Sequence, residues 1–118
     1  DNVIPASNSS MARALHFLSV LFEESAYADL SKDMLQKVLP NLLRFPSAFS
    51  NWGILHLHLA YPFHTLVVTG PDSRVFLDEL RASYLPNVHF SGGPTESEIP
   101  INMNRWDPEE TRVFVCTV

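Results

Sequence analysis

The stretch from His64 to Phe90 constrains the fold more than any other part of this chain. Leu66-Val67-Val68 is a short apolar run of the kind buried on both faces of a sheet. Gly70-Pro71-Asp72 follows as a turn, and Ser73 to Tyr84 has helical spacing, with Val75, Phe76, Leu80 and Tyr84 expected to face the strand. Pro86 stops that helix, and Val88-His89-Phe90 begins a second strand. Strand, helix and strand at these lengths spell a β-α-β unit with a right-handed crossover. A third strand, from Val113 through Cys116 to Val118, follows a long segment rich in Gly, Pro, Ser, Glu and Asn at residues 91–111.

The preceding residues read as helices. Met11, Ala14, Leu15, Leu18, Leu21 and Phe22 recur at helical spacing behind the N-cap candidates Ser7, Asn8 and Ser9. Glu23 and Glu24 are poorly placed at the negative end of that helix. Tyr27, Leu30, Met34, Val38 and Leu42 form a second stripe, interrupted by Pro40, where a break or kink is expected. Phe45, Ala48, Phe49, Trp52, Leu55 and Leu59 form a third, with Pro46 suited to a first helical turn. The expected fold class is therefore α/β: an N-terminal helical hairpin and third helix over 1–63, packed with a small, mostly parallel three-stranded sheet over 64–118.

Composition narrows the partners. A net charge of −5 with eight scattered Lys and Arg gives no basic stripe for nucleic acid. The longest apolar run, Ile54 to Phe63, is too short for a membrane span and is broken by His and Pro. One cysteine, Cys116, allows no internal disulfide and no Cys-based zinc site. No secretory leader is read at Asp1, so a cytoplasmic protein is expected. The final strand stops without a turn or polar tail, so the polypeptide is expected to continue.

No residue pattern announces a reaction. The turn at Thr69-Gly70-Pro71-Asp72 sits where many α/β proteins bind phosphate. Here Pro71 removes a donor, and Asp72 or Ser73 is expected to cap the helix from within. His56 and His58 lie about 200° apart around a helix axis and cannot share an ion there. Cys116 in an apolar strand reads as a small buried hydrophobe, without a base or positive charge nearby in sequence. The acidic pairs Asp78-Glu79, Glu96 with Glu98, and Glu109-Glu110 read as solvated surface. Asn8-Ser9-Ser10 matches a glycosylation sequon but serves better as capping. No catalytic residue, cofactor or metal is expected.

Asp1-Asn2-Val3-Ile4-Pro5-Ala6-Ser7-Asn8-Ser9 is similar to the Asp-x-x-x-Pro-Ser-Gly-Asn-Ser motif of the thioredoxin-domain-containing, spermatogenesis-associated protein family and its bacterial relatives. Phe45-Pro46-Ser47-Ala48-Phe49, Leu66-Val67-Val68, Tyr84-Leu85-Pro86-Asn87 and Phe114-Val115-Cys116 continue the resemblance in order along most of the chain. Ala6 and Ser7 depart from it, standing where the family has Ser and Gly. The resemblance implies a longer protein with an N-terminal thioredoxin-like domain and an α/α toroid like those of N-acylglucosamine epimerases and six-hairpin glycosidases, of which this chain is the C-terminal part.

Two readings follow. In one, the chain is a scaffold whose partner is the rest of its own polypeptide, with homo-oligomers forming through exposed apolar helix faces. In the other, it belongs to a carbohydrate-handling enzyme, with Asp1, Asn8 and Ser9 as substrate contacts at the toroid mouth. Side chains that only cap the first helix would favour the scaffold; side chains meeting an acid and an aromatic in an open cleft would favour the enzyme.

Overall fold

A computed structural model describes residues 4–117 and divides the chain into two units, one running to Tyr61 and one starting at Pro62. In the first unit, α1 (Ser7–Leu21) and α2 (Ser25–Arg44) form a hairpin, and a 3-10 turn at Pro46–Phe49 leads into α3 (Ser50–Ala60). Glu23 adopts φ 53° between the first two helices. Glu24 is the N-cap of α2, its carboxylate accepting the Ala26 N–H at 3.2 Å. An acid that is badly placed as the end of one helix is thus well placed as the start of the next.

The core of this unit is Ala12, Leu35, Leu42, Trp52 and Leu55, flanked by Met34, Val38, Leu39, Phe49 and Leu59. Each large apolar side chain taken fully out of water stabilises the unit by about 1.5–3 kcal/mol. The buried faces are rotated from those the spacing suggests. On α1 the buried residues are Ser9, Ala12, Leu15, His16 and Val20, while Met11, Leu18 and Phe22 are exposed. On α2 they are Ser31, Leu35 and Leu42, while Tyr27 and Leu30 are exposed. The α2 helix also runs unbroken through Pro40. Pro40 is on the exposed side, where water can satisfy the carbonyl one turn back that loses its N–H partner.

The second unit is a three-stranded sheet in the order β2-β1-β3, built from β1 (His64–Thr69), β2 (Val88–Gly93) and β3 (Arg112–Thr117). The helix α4 (Ser73–Arg81) connects β1 to β2, which pair in parallel from His64↔Val88 to Thr69↔Gly93. The β-α-β unit is therefore present. The sheet is mixed rather than mostly parallel, because β3 runs antiparallel to β1, from His64↔Thr117 to Thr69↔Arg112. A second parallel neighbour would need another helical crossover. Residues 94–111 instead contain only a 3-10 turn at Pro100–Asn102, and the chain re-enters the sheet at the end where β1 leaves it.

One sheet face is covered by α4 through buried Ser73 and Leu77 and half-buried Leu80. Val75, Phe76 and Tyr84, expected on that face, are exposed: the helix turns about Leu77, and it ends at Arg81, before Tyr84. The other face presents Thr65, Val67 and Thr69 of β1, with Ile101 and Asn102 buried in the loop. Ser91 Oγ donates to Asn102 Oδ1 at 2.8 Å, and Trp106 Nε1 donates to the Pro94 carbonyl at 3.1 Å, tying this loop to β2 and to itself. Gly92 has φ +117°, and an added Cβ would collide with the Val68 carbonyl across the parallel pairing. No helix among the described residues is long and apolar enough to cross a membrane.

Candidate functional site

Of the three candidate contacts, Asp1 lies outside the described residues, Asn8 is exposed in the first turn of α1, and Ser9 is fully buried. The N-cap of α1 is Ala6, without a side-chain hydrogen bond, because the helix already begins at Ser7. Ser9 Oγ donates to the Ala6 carbonyl at 2.8 Å and accepts from Asn51 Nδ2 at 2.9 Å. Asn51 Oδ1 in turn accepts from Arg13 Nη1 at 2.5 Å. Ser9 and Arg13 are one turn apart on α1, and Asn51 is in the first turn of α3. The structure therefore separates Asn8 from Ser9 and joins Ser9 to two residues that the sequence did not single out. A polar Asn51 directly before the core Trp52 was the signal for one of them.

Farther along the same helix pair, the rings of His16 and His58 are 6.0 Å apart, each about 6 Å from the Phe17 ring. Arg13 lies over Phe17 at 6.0 Å. Among the described residues, no three His, Cys, Asp or Glu side chains are grouped as metal ligands.

The turn after β1 is closed from outside. Asp72, the N-cap of α4, makes no side-chain capping bond, and Ser73 Oγ is buried without a hydrogen-bond partner among the described residues. The expected internal cap is replaced by Thr111, whose Oγ1 accepts the Asp72 N–H at 2.9 Å. Gly70, at φ +120°, leaves room for the Glu110 carbonyl, which a Cβ would meet at 2.4 Å. Asp107 holds this strap: its Oδ1 accepts the Glu109 and Glu110 N–H groups at 2.9 and 3.1 Å, and its Oδ2 is 2.7 Å from Arg112. Those two N–H groups, with Arg112 contributing less, hold the Asp107 carboxyl below its ordinary value. On β2, burial is the larger cause and the charge of Arg81 the smaller in pulling His89 below its ordinary value.

Cys116 is half-buried rather than buried. The positive charge missing from its sequence surroundings arrives from the long loop: Arg105 Nη1 donates to Cys116 Sγ at 2.8 Å, and its guanidinium lies 5.1 Å over the Phe114 ring. Thr69 Oγ1 anchors the Arg105 carbonyl at 2.6 Å. Comparison of the chain with family models, with curated proteins and with solved structures finds no match.

Proposed function

We propose that this chain is a scaffold and interaction segment, the C-terminal part of a cytoplasmic protein of the thioredoxin-domain-containing, spermatogenesis-associated type, with no catalytic activity of its own. The observation that carries this reading is the apolar stripe of α1. Met11, Leu18 and Phe22 are 57, 37 and 47% exposed, although they share the helical spacing that normally marks a core face. The side of α1 that carries Ala12, His16 and Val20 is packed within the unit, and the Met11-Leu18-Phe22 stripe is buried only at its border, through Leu15.

A second apolar surface supports the same reading. Leu43, Pro46, Ile54 and Leu57, with the polar Ser50 and His56 among them, line a mostly apolar shallow depression of about 500 Å³ on α2 and α3. Contiguous apolar surface of this kind marks contact with other protein. The side chains best suited to hold a substrate are engaged internally, Ser9 and Asn51 with each other and with Arg13. The partner we propose is the remaining helical layer of the same polypeptide, with self-association when that layer is missing.

The test is light scattering on the isolated chain over a wide concentration range, alongside Met11→Ser/Leu18→Ser/Phe22→Ser. Concentration-dependent association that the triple variant abolishes is the expected result. A clean monomer throughout overturns the proposal.

A further inference from the structure

We infer that Cys116 is a modification site for hydroperoxides, where the sulfenic acid formed is held by Arg105 and Thr65. Thr65 and Cys116 are direct partners across β1 and β3, so their side chains stand on one face about 5 Å apart at Cβ. Thr65 is fully shut off from solvent, and its Oγ1 has no hydrogen-bond partner among the described residues. A buried hydroxyl left unsatisfied is costly and calls for an explanation in function or in a missing ligand.

The missing ligand is one oxygen atom on sulfur. The thiol offers Thr65 only a weak acceptor, whereas a sulfenic or sulfenate oxygen is a strong one. Arg105, already on the sulfur and pinned over Phe114, supplies a second, charged donor. Half-burial leaves the sulfur reachable by a small oxidant while limiting larger ones.

The reaction balances without a cofactor. Sulfur attacks one peroxide oxygen; the O–O bond breaks as the S–O bond forms. Two electrons pass from sulfur to the peroxide, and the thiol proton leaves with the departing oxygen, as water when the oxidant is hydrogen peroxide. The chain contains no second cysteine to condense with the product.

The experiment treats the folded chain with hydrogen peroxide, traps sulfenic acid with dimedone at timed intervals, and reads intact mass. The same chain unfolded in urea, Thr65→Val and Arg105→Gln serve as comparisons. The sulfenic acid should persist about tenfold longer in the folded chain than in the unfolded one, the effect of one charge-assisted hydrogen bond. Thr65→Val should shorten that lifetime about fivefold without lowering stability, because it removes an unsatisfied group and keeps the shape. Equal lifetimes in Thr65→Val and the unaltered chain, or in folded and unfolded chains, overturn the inference. If Arg105→Gln fails to fold, the Thr65→Val comparison decides.

Discussion

Ser31 Oγ donates to the Ala12 carbonyl at 2.8 Å, and both residues are fully buried where α2 crosses α1. Two small side chains allow the helices to approach until a hydroxyl of one reaches the backbone of the other. Ser31→Ala should lower the unfolding free energy by about 1 kcal/mol through the lost bond. Ser31→Leu should cost more, about 3 kcal/mol, by forcing the helices apart. Urea denaturation of both variants checks the order.

Asn51 links Ser9 to Arg13 through both ends of its amide. Asn51→Leu fills the space but leaves two polar partners without their bond, and should destabilise by about 1–3 kcal/mol. Adding Ser9→Ala to Asn51→Leu should cost less than Ser9→Ala does in the unaltered chain. A double-mutant cycle measured by denaturation would show this coupling as non-additivity.

Gly92 and Gly93 are adjacent in β2 but differ in what surrounds them. A Cβ at Gly92 would fall inside contact distance of Val68 at φ +117°, whereas a Cβ at Gly93 meets nothing within 4 Å. Gly92→Ala should cost more than about 2 kcal/mol by breaking the β1–β2 pairing. Gly93→Ala should stay within about 0.5 kcal/mol. Thermal unfolding of the pair separates local collision from a general intolerance of β2 to side chains.

Two acid-sensitive steps are expected. His89 titrates below its ordinary 6.5 in the folded chain, so the unfolded chain binds the extra proton first. Its contribution is fully present above 6.5 and is lost as pH falls through its lowered folded value. Asp107 titrates below its ordinary 3.8, so its contribution is complete above that value and declines below it. Stability against pH should show the upper step flattened by His89→Gln and the lower one by Asp107→Asn.

The sequence made element type legible where one period dominated. The β-α-β unit from His64 to Phe90 could be read because apolar runs, Gly70-Pro71 and Pro86 all agree. Which side of each helix is buried was less legible. On α2, Leu30-Met34 and Ser31-Leu35 share the same spacing, and the buried choice includes a serine, which a hydrophobic pattern ignores. The antiparallel placement of β3 depends on how residues 94–111 fold back, and irregular loops carry no period. At the candidate site, Ser9 was visible because it follows a motif-like opening. Its partners Arg13 and Asn51 became visible only when α1 and α3 were brought together. Arg105 was hidden for the same reason: only strand pairing and loop closure set it beside Cys116.

The order β2-β1-β3 has a consequence for synthesis. The middle strand and its crossover partner leave the ribosome before β3, and the flank of β1 that β3 will cover stays wet until residues 112–117 have emerged. Throughout that interval β1 offers unpaired backbone along one side to any extended segment of another nascent chain. The stretch between β2 and β3 therefore sets a time window as well as a path, and translation slowed within it should raise the share of chains that mispair.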